Sequence, residues 1–274
     1  MSSERRAFFK ELASAAMGVK QAAEEATTVA GPEVPAYDLE RYSRQLVLPE
    51  WSDAAQRRLG AASVLVVGAG ALGAPVALYL AGAGVGRLGV ADPDAVELSN
   101  LHRQLLHFTP DVGVPKAHSA AAKLRFLNPD IVVEPYEAAF NPAMLDDQDL
   151  VVDCTDAFAT RREINAACCA ARVPLIEGGA TAFDGLVLVI RPGETACYRC
   201  AFPTASADER RCDQEGILGP AAGVVGSLMA LEALKLLGGL ETRPGLLSLD
   251  LRGPELTRVT VARDPGCPDC AGIP

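Results

Sequence analysis

The stretch SVLVVGAGALGAP, residues 63–75, decides how the rest of the chain is read. Ser63-Val64-Leu65-Val66-Val67 is a mostly β-branched apolar run of strand length. Gly68, Gly70 and Gly73 follow in GxGxxG spacing, and residues 71–82 then have the composition of a helix. A strand that turns tightly into a helix leaves backbone N–H groups free at the helix start, where they bind phosphate. Residues 87–91 read as the next strand. Asp92 ends it about 20 residues after the glycine turn, where an acid can hold a ribose hydroxyl. To this point an NAD-dependent dehydrogenase fits.

Outward from that stretch, strand and helix alternate: residues 116–127 and 161–171 have helical patterns, while 131–136, 150–153 and 174–177 read as strands. Such alternation predicts an α/β, Rossmann-like open sheet with helices on both faces and ligands beyond the carboxyl ends of the strands. From about Ala182 the pattern changes. FDGLVLVIRPG (183–193) and GLLSLDLRGPELTRVTVAR (245–263) read as strands in hairpin-like order. Between them lies a helix over 221–237 that is apolar on most faces. The expectation is one mixed sheet, parallel in its N-terminal half and antiparallel in its C-terminal half.

Two units are expected along the chain: residues 1–37 as a helical extension and linker, and 38–274 as the main domain. Arg5-Arg6-x-Phe8-Phe9-Lys10 has the look of a twin-arginine export signal. However, Glu11 and Lys20 bracket the short Ala-rich stretch, and Glu24 and Glu25 stand where a cleavage site would be. Phe8, Leu12, Ala15, Ala16, Val19, Ala22 and Ala23 recur instead at helical spacing, which leaves a weakly amphipathic docking helix and a mobile tail both open. The net charge of −10 argues against general binding to nucleic acid or anionic membranes, so any phosphate site must be built locally. Gly and charged residues interrupt the apolar runs before they approach the roughly 18 residues of a membrane helix. A soluble, cytoplasmic protein is expected.

The eight cysteines divide into two groups. Cys197-x-x-Cys200 and Cys267-x-x-Cys270 are matched knuckles beside Gly193 and beside Pro265, Gly266 and Pro268. Four thiolates in this spacing suit a closed, structural, tetrahedral Zn2+ site that would pin the end of the chain to its middle; disulfides or a redox pair are the alternatives. Cys154, Cys168 and Cys169 read as small core residues. Cys212 lies in a polar segment beside Arg210 and Arg211, where positive charge favours a thiolate; a reactive nucleophile and an incidental loop cysteine both stand.

The segments after the ribose acid carry more cationic character than a dinucleotide pyrophosphate needs. DPDAVELSNLHRQ (92–104) supplies Asn100, Arg103 and Gln104, and DVGVPKA (111–117) adds Lys116 at a helix start. A triphosphate requires such side chains. VVDCTDA (151–157) then places Asp153 and Asp156 at the end of the fourth strand, with Asp156 suited to Mg2+. His102 and His107 read as polar packing and His118 as surface.

These segments, together with RYSRQLVLPEW (41–51), CYRC (197–200), GVVGSLMALEALKLL (223–237) and PGCPDC (265–270), occur in the order found in the MoeB/ThiF/HesA family, relatives of the ubiquitin-activating enzymes, which residues 38–272 resemble. The resemblance implies ATP-dependent adenylation of the C-terminal glycine carboxylate of a small ubiquitin-like sulfur-carrier protein ending in Gly-Gly. It places Gly70 in the nucleotide loop, Asp92 on the ribose, Asn100, Arg103 and Lys116 on phosphates with Gln104 nearby, and Asp156 on Mg2+. It implies a homodimer in which Arg44 reaches the neighbouring subunit's ATP site. Activation of a small-molecule or tRNA-linked carboxylate is the nearest alternative. Ala157 stands where the family commonly has Asn, which puts one nucleotide contact in doubt, and Cys212 falls where some relatives carry a sulfur-accepting cysteine.

Overall fold

The computed structural model describes residues 37–204 and 216–273. The N-terminal extension and Cys212 lie outside the described residues. Two short helices come first, α1 (Leu39–Leu46) and α2 (Asp53–Ala61). Each starts on a side-chain cap: Asp38 accepts from the amides of Glu40 and Arg41, and Ser52 accepts from Ala55. The sequence reading assigns no element to either.

Strands β1 (Ser63–Val67), β2 (Arg87–Ala91), β3 (Val132–Tyr136), β4 (Leu150–Asp153), β5 (Leu175–Thr181), β6 (Asp184–Ile190), β7 (Leu246–Asp250) and β8 (Glu255–Val259) form one eight-stranded sheet in the order β3-β2-β1-β4-β5-β6-β7-β8. Pairings through β5 are parallel, and those from β5 to β8 are antiparallel. The mixed sheet expected from the sequence is therefore present. β5 runs beyond the expected 174–177 because its last residues pair with β6 across the hairpin, Thr181 opposite Asp184.

Helices α3 (Gly73–Ala83), α4 (Lys116–Leu127), α5 (Phe158–Ala171), the short α6 (Tyr198–Ala201) and α7 (Gly219–Gly238) cover the sheet. One core gathers Leu80, Leu124, Val225 and Met229 against Val64, Val66 and Val152; the other gathers Ile164, Cys168 and Tyr198 against Leu65, Val151 and Leu175. β1 is buried at all five positions, which is why it reads as an uninterrupted apolar run. α7 corrects one expectation, since it is long and apolar enough to cross a membrane. Half of it is buried in this fold, with Val225, Met229 and Ala233 in the core.

The order of strands creates the site. The chain passes from β1 to β2 to β3 in one direction, then returns to lay β4 on the free side of β1, so the carboxyl ends of β1 and β4 open a crevice between diverging connections.

Candidate functional site

A cavity of about 660 Å³ occupies that crevice. Of the residues singled out in the sequence, Gly68, Gly70, Asp92, Arg103, Gln104, Lys116 and Asp156 line it. Gly73, Asn100 and Arg44 are not among its walls.

The three glycines are required for different reasons. Gly68 has φ +95°, and a Cβ there would stand 2.9 Å from the Cys154 carbonyl oxygen. A Cβ on Gly73 would stand 1.8 Å from the Gly68 carbonyl oxygen, so Gly73 closes the turn from behind. At Gly70 the nearest atom is Gln104 Nε2, at 3.6 Å. The fold itself does not demand glycine at that position, and the space beside it belongs to the cavity. Between them, Ala69 is held at both ends of its peptide units. Its N–H donates to Asp92 Oδ2 at 2.7 Å, and its carbonyl lies 2.9 Å from His107 Nε2. Asp92 also accepts the Asp94 amide on Oδ1 at 2.9 Å, and it is buried.

His107 is the buried packing residue expected: Nδ1 meets Ser119 Oγ at 2.8 Å, and burial holds its pKa below the ordinary histidine value. His118 is exposed beside Glu137. His102, in contrast, lines the cavity, with Nε2 at 2.8 Å from Arg103 Nη1.

The cationic groups are tethered by neighbouring acceptors. Lys116 Nζ donates to Asp94 Oδ2 at 2.9 Å, and Lys116 is buried while Asp94 is exposed. Arg103 donates from Nη1 to the Ser99 carbonyl at 3.1 Å and from Nη2 to Asn100 Oδ1 at 3.0 Å, so Asn100 orients Arg103 from outside the cavity. Gln104 Oε1 is buried with no hydrogen-bond partner among the described residues. The Asp156 side chain is exposed and makes no hydrogen bond or ion pair among the described residues. Arg44 is exposed on the last turn of α1.

The sequence reading missed the wall formed by Asp94, Thr155 and Arg161. Ala157 is the N-cap of α5 and offers no side-chain cap. Arg161, one turn into the helix, donates from Nε and Nη2 to the Thr155 carbonyl at 3.1 and 2.6 Å. Behind it Glu177 Oε1 lies 3.3 Å from Arg161 Nη1.

A second cluster lies under the opposite core. The Sγ atoms of Cys197, Cys200, Cys267 and Cys270 all fall within 4.8 Å of one another, and these groups could hold a metal ion. Closest separations are 3.7 Å for Cys197 to Cys200, 3.6 Å for Cys197 to Cys267 and 3.5 Å for Cys200 to Cys270. A disulfide requires about 2.05 Å, whereas four sulfurs at about 2.3 Å around one tetrahedral ion stand about 3.8 Å apart. The knuckles are fixed to α5: Asn165 Oδ1 accepts the Tyr198 amide at 2.8 Å, and Asn165 Nδ2 donates to Asp269 Oδ2 at 2.8 Å, which Arg199 Nε also reaches at 3.0 Å. Cys154, Cys168 and Cys169 are buried core residues as expected. A hydrogen bond from Cys169 holds the Cys197 thiol below the ordinary cysteine value.

The model of the ThiF family matches residues 42–269. The chain is 46% identical over 241 residues to the sulfur carrier protein ThiS adenylyltransferase of Escherichia coli (strain K12), covering 86% of this chain and 96% of that protein. It is 44% identical over 250 residues to the sulfur carrier protein adenylyltransferase of Thermus thermophilus, covering 86% and 92%. It is similar to adenylyltransferase and sulfurtransferase MOCS3 of Sus scrofa, 46% identical over 239 residues, spanning 84% of this chain but about half (52%) of that protein. Among solved structures, E. coli MccB crystallised with AMPCPP and MccA superposes with a TM-score of 0.75 over 86% of this chain and 75% of that one; at 23% identity, the likeness is one of fold.

Proposed function

The chain belongs to the ThiF family, and we propose that it adenylates the C-terminal glycine carboxylate of a small ubiquitin-like sulfur-carrier protein, releasing pyrophosphate. The observation that carries this reading is the crevice itself. Open space beside Gly70, two cationic side chains from one excursion and a carboxylate unpaired among the described residues converge at a single switch point. The names of its relatives supply the substrate class. A dehydrogenase would leave Arg103, Lys116 and Asp156 without work.

The chemistry follows from charge. A carboxylate is a weak nucleophile and repels the α-phosphate it must attack, so the reaction needs cations rather than a base, because the carboxylate is already ionised at neutral pH. Arg103 and Lys116 neutralise the phosphates and the charge that grows during attack. The Lys116 ammonium exchanges its Asp94 partner for a phosphate oxygen as nucleotide enters. Asp92 accepts from the ribose, Gln104 completes the polar wall, and Asn100 holds Arg103 toward the phosphates from behind. Mg2+ held by Asp156 supplies further neutralisation of the phosphate oxygens.

Arg44 stands away from the cavity of its own chain, and in this reading it acts across a homodimer. Leu98, Leu105, Phe108 and Leu218 are exposed apolar side chains available for that contact. The cysteine cluster holds Zn2+, in keeping with its sulfur separations, and the enzyme works in the cytoplasm on protein carriers rather than nucleic acid or membranes. Residues 38–274 form the catalytic domain.

ATP–pyrophosphate exchange tests the reading, measured with a panel of carriers ending in Gly-Gly and with a tRNA arm. Carrier-dependent exchange, lost in Asp156→Ala and kept in Cys212→Ala, is expected. Exchange driven only by tRNA or by a small carboxylate would replace the substrate class.

A further inference from the structure

Two carboxylates lie buried side by side beneath the crevice. Asp153 and Glu177 are register partners on the parallel strands β4 and β5, and both are 0% exposed. Asp153 Oδ1 accepts the Thr155 amide at 2.8 Å, while Asp153 Oδ2 and both oxygens of Glu177 are buried without a hydrogen-bond partner among the described residues. Among the described residues one cation serves them: Arg161, whose Nη1 lies 3.3 Å from Glu177 Oε1 and whose Nε and Nη2 are engaged by the Thr155 carbonyl. Two negative charges against one positive charge in a dry interior is an unstable count, because adjacent buried carboxylates resist double ionisation.

We propose that Asp153 and Glu177 carry one proton between them, and that with Arg161 they form the positioning unit that fixes Thr155 and Asp156 against the nucleotide site. The proton resides on Glu177. It gives the otherwise unpaired oxygens a shared hydrogen and leaves the cluster electrically neutral. Thr155 is then gripped at both ends, its N–H by Asp153 and its carbonyl by Arg161, and the next residue, Asp156, is presented to the cavity on a fixed turn. Arg161 is a positioning residue here, acting through the backbone.

The surroundings agree. The titratable or charged groups facing Glu177 are Asp153 on β4, Cys154 beyond it, Arg161 and Cys168 on α5, and Tyr198 on α6. Burial pushes Glu177 well above the usual carboxylate range; Asp153 pushes it further and Arg161 opposes. Burial disfavours the Arg161 charge, but Glu177 and Asp153 outweigh it and keep the guanidinium protonated.

The kinetic part of the test rests on the adenylation reading, and the spectroscopic part does not. Infrared spectra of the full chain in D2O at neutral pH are expected to show the C=O stretch of a protonated carboxyl that vanishes in Glu177→Gln. No Glu177-dependent band would overturn the shared proton whatever the enzyme does. Glutamine mimics the protonated acid, so Glu177→Gln should keep exchange within about twofold across the pH profile, as expected for replacing a neutral group by its isostere. Arg161→Lys, which cannot chelate the Thr155 carbonyl, should raise KM for Mg2+-ATP roughly tenfold with a smaller change in kcat. A present band with KM unchanged in Arg161→Lys would overturn the positioning role. Should the wild type catalyse no exchange with any carrier, the adenylation reading fails, and Asp156-dependent Mn2+ binding, weakened in Arg161→Lys, tests the positioning role in its place.

Discussion

The imidazole of His107 stands 2.9 Å from the Ala69 carbonyl, inside the glycine turn, with Ser119 on its other nitrogen. Lys123 Nζ donates to Ser119 Oγ at 2.9 Å, so the hydroxyl proton is free for His107 Nδ1 and the Nε2 proton for Ala69. This relay needs a neutral ring.

The first prediction concerns pH. Burial lowers the folded pKa of His107 below the unfolded value of about 6.5. A depressed value means that stability is fully present above the unfolded pKa and is lost as pH falls through the folded one. Thermal melts should show the wild type losing Tm below about pH 6.5 more steeply than His107→Gln, which cannot acquire the charge. Parallel slopes would remove His107 from the acid response.

The glycines separate folding from binding. Gly73→Ala drives a methyl into the Gly68 carbonyl and should cost about 2–3 kcal/mol, read by chemical denaturation. Gly70→Ala has room in the fold and should melt like the wild type, yet lose ATP affinity by roughly tenfold or more, read by calorimetry. Unchanged affinity in Gly70→Ala would mean that phosphates lie elsewhere.

Among the described residues Asp156 makes no side-chain bond that folding would miss. Asp156→Asn should therefore leave Tm unchanged while cutting kcat/KM for exchange by roughly a hundredfold or more, the scale of a lost transition-state electrostatic contact. Retained activity would place the metal on another ligand.

Complementation tests the role of Arg44. Arg44→Ala and Asp156→Ala are each expected to be inactive, but a mixed dimer in which Arg44 acts across subunits keeps one intact site. Random mixing of subunits should then restore about a quarter of wild-type exchange. No recovery despite subunit mixing, confirmed by tagged pull-down, would confine Arg44 to its own chain.

Metal removal should be felt at the C-terminal segment. Elemental analysis is expected to find one zinc per chain, absent in Cys267→Ser. Loss of about 2 kcal/mol would lower Tm by roughly 4–8 °C. Full stability without metal would make the four thiols simple core residues.

Much of this architecture was legible because its signals are local. The buried strands β1 and β4 are apolar but for Ser63 and Asp153 at their ends, the turn residues are glycines, and the knuckles announce themselves by spacing. Of the nine residues expected in the chain's own crevice, seven line it. Gly73 packs behind the turn, Asn100 bonds to Arg103, and Arg44 lies on a separate helix. What stayed hidden depends on pairing at a distance. Arg161 reads as an ordinary helical residue until the β4–β5 register sets Asp153 beside Glu177. Lys116 shows its acceptor only once the return from β2 brings Asp94 to the start of α4. Cys169 reads as apolar filling, and its place beside Cys197 follows from how α5 lies over the knuckle.

Arg161 and Asn165 sit one helical turn apart on α5, the first holding the Thr155 carbonyl and the second the Tyr198 amide. A single helix therefore spans two loops that are far apart in the chain, and neither loop can open without straining the same backbone. Amide hydrogen exchange would register them as one cooperative unit, their protection rising and falling together.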